Sequence, residues 1–156
     1  MAVTHPPFRS RLCCVVLAAS WIAIGAPAYA QATSDRQAIT ESALDYIEGF
    51  YNGDPARMER SLHPDLAKRI VRTDASGRPR LDHMTAPQLV QAARSRAGKA
   101  TPADRQQKDV TVLDLFGQSA SVKIVANDWI DYLHLSKWEG RWVIVNVLWE
   151  MKPPAR

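Results

Sequence analysis

Trp129-Ile-Asp-Tyr-Leu-His-Leu-Ser-Lys-Trp-Glu-Gly-Arg-Trp-Val-Ile-Val-Asn-Val-Leu-Trp149 is the stretch that decides how this chain folds. It holds two runs of β-branched and aromatic residues, a composition suited to a pleated, half-buried surface. Glu139-Gly140 between them is a turn signal. The stretch therefore reads as a hairpin, Trp129 to Leu135 and Trp142 to Trp149, dense enough in large side chains to close a core. Two further extended runs precede it, Val110 to Phe116 and Ser119 to Asn127, separated by a turn at Gly117. Four strands in a row make a meander.

Upstream the periodicity changes. Thr85-Ala86-Pro87 opens a helix with Leu89, Val90 and Ala93 inward, running out at Gly98. Lys99 to Gln106 is charged and rich in turn formers and reads as a mobile loop. Leu66 to Arg72 and Arg80 to Met84 read as strands around the turn-rich Asp74 to Pro79. Earlier still, Ala38, Ile39, Ala43, Tyr46, Ile47 and Phe50 recur at helical spacing over Ser34 to Asn52. Ser34 and Gln37 fit a capping box, and Asn52-Gly53 fits a helix stop. Asp54-Pro55 then restarts a short helix carrying Met58 and Leu62, with Asp as N-cap and Pro at the first position. The order α-α-β-β-α-β-β-β-β is that of an α+β domain.

The first 30 residues stand apart. Arg9 and Arg11 precede the apolar run from Leu12 to Ala26, and Ala28-Tyr-Ala30 follows. This is the pattern of a secretory signal peptide, with cleavage predicted after Ala30. The apolar run is shorter than the roughly 20 residues a membrane-spanning helix needs. The predicted organisation is a signal peptide at 1–30, one domain at 31–150 and a disordered tail at 151–156, with a secreted or periplasmic destination and no membrane association after cleavage. Residues 1–30 carry two of the 20 Lys and Arg, none of the 16 Asp and Glu, and both cysteines. The remaining 126 residues have a formal charge of +2 and no thiol, so packing alone must hold them. Basic residues are interspersed with acids, which argues against nucleic acid as a partner.

With that order of elements the chain resembles the nuclear transport factor 2-like superfamily, which includes ketosteroid isomerases and polyketide cyclases. More narrowly, Tyr46-Ile-Glu-Gly-Phe-Tyr-Asn-Gly-Asp54, Leu62-His-Pro-Asp65, Asp131-Tyr-Leu and Gly140-Arg-Trp-x-Ile-Val-Asn146 look like the branch labelled putative lumazine-binding. The resemblance covers residues 34 to 150. It implies a cone: a curved, largely antiparallel sheet with a mixed edge, wrapped around about three helices. A fold shared by unrelated activities does not specify chemistry.

Ketosteroid isomerases use a tyrosine and a protonated aspartate as oxyanion donors and a second aspartate as base. Alignment at Gly53-Asp54 places Tyr46 at the tyrosine and Asp131 at or near the donor aspartate. The base position falls on Ile70, which cannot take a proton. The resemblance thus favours binding over isomerisation, and no cofactor is implied. The ligand-binding candidates are Tyr46, Phe50, Trp129, Asp131, His134 and Asn146, around a small organic ligand. Asp131 and His134 are the only candidates for a proton carrier, should there be an enzyme here of isomerase, cyclase or hydrolase type.

Each has a plainer reading. Tyr46 can be a core aromatic with its hydroxyl tied locally. Asp131 can be a surface charge, in which case Ile130, Tyr132 and His134 would face the pocket instead. Asn146 can be a buried amide satisfying a neighbour. His63 precedes Pro64 at a helix end, His83 sits in a predicted edge strand, and neither shows ligand spacing for a metal. By strand alternation Trp142, Ile144, Asn146 and Leu148 face the cone. Val143, Val145, Val147 and Trp149 then form a second apolar face, which predicts a homodimer through the sheet. A third possibility is an interaction protein whose cone is filled by side chains.

Overall fold

The computed structural model describes residues 1, 25–95 and 101–154. Most of the predicted signal peptide, residues 2–24, lies outside them, as do 96–100 and 155–156. Among the described residues the elements are α1 (Gly25–Asn52), α2 (Pro55–Ser61), β1 (Leu62–Thr73), β2 (Pro79–Thr85), α3 (Ala86–Arg94), β3 (Lys108–Phe116), β4 (Ser119–Ala126), β5 (Trp129–Trp138) and β6 (Arg141–Met151). The strands form one sheet in the order β2-β1-β6-β5-β4-β3. Every pairing is antiparallel except β1 with β6. This is the predicted α+β architecture, with the mixed pairing inside the sheet.

Local chemistry sets the joints. Asp54 Oδ1 accepts the backbone N–H groups of Ala56 and Arg57 at 3.0 and 3.1 Å, capping α2 behind Pro55. Thr85 N–H donates to Gln88 Oε1 at 2.8 Å at the start of α3. The β5–β6 turn, Glu139-Gly140, has positive φ at both residues, 47° and 77°. Such a two-residue loop matches the twist of the flanking strands.

Several boundaries differ from expectation, among them the start of β1, which takes in Leu62, expected in the second helix. Helix α1 begins at Gly25, so Ser34 lies within it and Gln37 bonds Glu41 at 2.9 Å instead of closing a cap. Helix α3 ends at Arg94, where the Ser95 N–H closes onto Gln91 O. The chain beyond residue 150 is anchored at first: β6 continues to Met151, and the Lys152 N–H bonds Asp128 O at 2.8 Å.

The larger correction concerns β6. His134 pairs with Asn146 but Leu135 pairs with Ile144, leaving Val145 as an extra residue. A bulge of this kind reverses the alternation beyond it. Trp142 and Ile144 face the core, and after the bulge so do Val147 and Trp149. Asn146 and Leu148, predicted inward, lie on the outer face, and Val147 and Trp149, predicted for a partner, lie inside. The inward assignment of this strand therefore holds only for Trp142 and Ile144, and Val143, predicted for a partner, is itself buried within the subunit.

The core lies between one face of the sheet and the helices. From α1 it takes Ile39, Ala43, Tyr46, Ile47 and Tyr51, from α2 Met58, and from α3 Leu89 and Ala93. Helix α1 also crosses close to α2: an added Cβ at Gly49 would stand 2.8 Å from Met58 N. Asp45 bonds Arg57 and Arg60 at 2.8 and 2.5 Å, pinning the same two helices from the solvent side.

Candidate functional site

The alternation of β5 settles which of its residues face the helices. Asp131, Leu133 and Leu135 are buried, while Tyr132 and His134 are exposed on the other side. In β1 the inward residues are Leu66, Lys68 and Ile70. Lys68 thus sits between two aliphatic residues on an apolar face, and it meets Asp131 there. Its Nζ donates to Asp131 Oδ1 at 2.5 Å and to Tyr46 Oη at 2.6 Å. The other carboxylate oxygen, Oδ2, accepts the Trp129 indole N–H at 2.7 Å. Lys68 is 5% exposed, Tyr46 3% and Asp131 0%.

A lysine and an aspartate this deep are kept only as a hydrogen-bonded pair. Burial pushes the Lys68 pKa below the ordinary lysine value, against the pull of Asp131 in the other direction. Burial, followed by the charge of Asp131 and a hydrogen bond to it, raises Tyr46 well above the usual phenol value. Tyr46 therefore stays protonated at neutral pH. The Lys68 Nζ also lies 4.6 Å from the Trp149 ring centroid, so one aromatic face stands beside the ammonium.

This network forms part of the wall of a cavity of about 350 Å³. Phe50, Trp129, Trp149 and Met151 give it aromatic and apolar sides, Met84, Leu89 and Ala92 close it from β2 and α3, and Lys68 and Tyr46 also line it. Phe50 meets Trp129 edge to face at 5.5 Å. Thr101 and Asp128 stand among the lining residues. Nearby, Tyr51 Oη donates to Gln107 O at 3.0 Å and accepts the Asn127 N–H at 3.0 Å, tying α1 to the loops before β3 and β5.

Of the six predicted ligand-binding residues, the structure brings Tyr46, Phe50, Trp129 and Asp131 together, with Asp131 behind the cavity wall. It does not bring His134 or Asn146 there. Both stand on the outer face, where Asn146 Nδ2 lies 3.2 Å from His134 Nδ1 and Asn146 Oδ1 accepts from Arg69 at 2.8 Å. For His134 the cause is strand parity, since it lies an odd number of residues from Asp131; for Asn146 it is the bulge. Ile70 lies inward near Trp149, as expected of an aliphatic residue. Lys68 was missed, although its place two residues from Leu66 and from Ile70 was a legible sign. Among the described residues no group of three His, Cys, Asp or Glu side chains is arranged to hold a metal ion.

A family model described as putative lumazine-binding matches residues 34–150. The chain belongs to that family. Among solved structures it is similar to an NTF2-like protein of unknown function from Shewanella baltica, at 21% identity and a TM-score of 0.60, over 78% of this chain and 96% of that one. An NTF2-like protein with a cystatin-like fold from Novosphingobium aromaticivorans matches at 12% identity and a TM-score of 0.60, over 87% and 94% of the two chains. A ketosteroid isomerase-like protein from Erwinia carotovora atroseptica matches at 15% identity and a TM-score of 0.53, over 76% and 96%. At these identities the likeness establishes the NTF2-like fold. A search among curated proteins gives no match.

Proposed function

We propose that this member of the putative lumazine-binding family is an exported protein that holds a small, flat organic molecule in the cavity beside Lys68. The observation that carries this reading is the cavity itself. Its volume of about 350 Å³ falls within the roughly 300–1,000 Å³ typical of small-molecule sites, and it combines apolar sides with few polar groups, the usual composition of such sites. Edge-to-face Phe50 and Trp129, with Trp149 opposite the lysine, favour an aromatic or heteroaromatic body. The family description points to the same class of ligand. Export rests on the Arg9-to-Ala30 pattern alone. Among the described residues no helix is long and apolar enough to cross a membrane.

Pairing of two copies through the sheet remains part of the proposal, on a different set of residues. Tyr132 and Leu148, paired across β5 and β6, are exposed at 45% and 51% on the outer face. They replace Val147 and Trp149 as its apolar surface. Sedimentation equilibrium at high concentration is the check, and a monomer throughout would remove this part.

Ligand binding is tested by thermal shift and tryptophan fluorescence with lumazine and a panel of aromatic heterocycles. A ligand that binds only the folded state raises Tm. Phe50→Ala should weaken binding by about tenfold, the loss of one aromatic contact. His134→Ala should leave binding unchanged. A panel without a hit at millimolar ligand, or equal losses in the two variants, would remove the cavity as the site.

A further inference from the structure

Lys68 is more than a counter-ion. Lys68 lines the cavity, and two groups able to exchange protons, the Asp131 carboxylate and the Tyr46 hydroxyl, touch its Nζ at 2.5 and 2.6 Å. A desolvated lysine in an apolar pocket is the setting in which the ε-amine becomes a nucleophile toward carbonyl carbon. We propose that Lys68 forms a reversible imine with an aromatic aldehyde or ketone held in this cavity. This rests on the reading of the cavity as a ligand site and adds a covalent step to it.

The chemistry closes without any further reagent. The Lys68 ammonium passes a proton to Asp131 along their shared hydrogen bond, and the freed amine lone pair attacks the carbonyl carbon. The carbonyl π pair moves to oxygen. Tyr46 gives its proton to that alkoxide and recovers one from the new ammonium nitrogen, leaving a neutral carbinolamine. Asp131 returns its proton to the hydroxyl group, the C–O bond breaks, and water departs as the nitrogen lone pair forms the C=N bond. In sum, an ammonium and a carbonyl become a protonated imine and water, and Asp131 ends as a carboxylate.

Charge is conserved at each end of the sequence. The iminium keeps the positive charge beside Asp131, so the buried ion pair survives in changed form and no lone charge is left in the apolar site. Entry of an apolar ligand excludes water from Nζ, which weakens the charged state of the lysine further and favours the amine. Burial already lowers the Lys68 pKa. Trp149, 4.6 Å from Nζ, offers the face along which an aromatic carbonyl compound would lie.

The test uses 2-naphthaldehyde with cyanoborohydride, which reduces an imine to a stable secondary amine, followed by intact mass and peptide mapping. The chain has five other lysines as internal references. Lys68 should label about tenfold faster than the half-buried Lys123 or Lys152, as expected of an amine activated by its pocket. In Lys68→Arg, which keeps a cation beside Asp131, that fast labelling should vanish while the slow background persists. 2-Naphthalenemethanol, which has the same ring and no carbonyl, should raise Tm without an adduct. Labelling of Lys68 no faster than the references would overturn the imine proposal. If the alcohol still raised Tm, the cavity would stand as a binding site. If neither compound shifted Tm or labelled Lys68, both readings would fall.

Discussion

Lys68→Met removes the ammonium that neutralises Asp131 and keeps most of the side-chain volume. The carboxylate then remains at 0% exposure with the Trp129 N–H on Oδ2 and no cation. Leaving one charge of a buried pair uncompensated costs about 3–5 kcal/mol. In a domain of this size that corresponds to roughly 10–20 °C in Tm. Asp131→Leu should cost a similar amount for the converse reason. The double variant, Lys68→Met with Asp131→Leu, has no buried charge, but it strips the Trp129 N–H of its acceptor and Tyr46 Oη of its donor, at about 1–3 kcal/mol for each group left unpaired. The double variant should therefore be less destabilised than the sum of the two single variants by several kcal/mol. Equilibrium urea unfolding followed by far-ultraviolet circular dichroism measures all three. Additive losses, or a Lys68→Met cost under about 1 kcal/mol, would refute the account of a desolvated pair.

Two other perturbations probe the scaffold. Gly49→Ala places a methyl group 2.8 Å from Met58 N and 3.2 Å from Asp54 O, both backbone atoms that move only with α2, so the helices must separate at a cost of about 1–3 kcal/mol; a thermal melt matching the parent would show that α2 yields freely. At the other end of α1, hydrogen bonds from the Trp142 indole, Lys137 and Gln31 lower the Asp35 pKa from 3.8 to about 2. A carboxylate depressed in the folded state contributes stability that is complete above its unfolded pKa and is lost as pH falls through the folded one. The Tm difference between the parent and Asp35→Asn should thus be constant above about pH 5 and close progressively from there toward pH 2; a difference that did not shrink on acidification would sink the assignment.

Tyr46, Phe50 and Trp129 were legible as a group because each falls on an apolar periodicity that fold-level resemblance could align. The hairpin was legible for a related reason: Glu139-Gly140 is a local turn signal, and local signals survive without knowledge of the partner strands. The β6 bulge is different in kind. Val145-Asn146-Val147 carries no glycine or proline to mark an irregularity, and the extra residue is defined only by the spacing of its neighbours on β5. Alternation counted from Trp142 was therefore correct for the inward Trp142 and Ile144 and inverted afterwards, taking Asn146 out of the cavity and Trp149 into it.

Lys68 shows the opposite failure. Its position in the β1 alternation was readable, but a lysine is so costly to bury alone that a single strand argues against placing it inward. The compensation comes from Asp131, 63 residues away and reached only because β1 pairs with β6 and β6 with β5. Seen from either strand alone, each charge belongs at the surface; the two are stable inside only together. That mutual dependence also links the cavity's chemistry to its stability. Any ligand that draws the Lys68 proton toward Asp131 removes both buried charges at once, so occupancy of the cavity and the protonation state of its wall must shift together. The bond that makes this lysine tolerable in the core is the same bond through which it can become an amine.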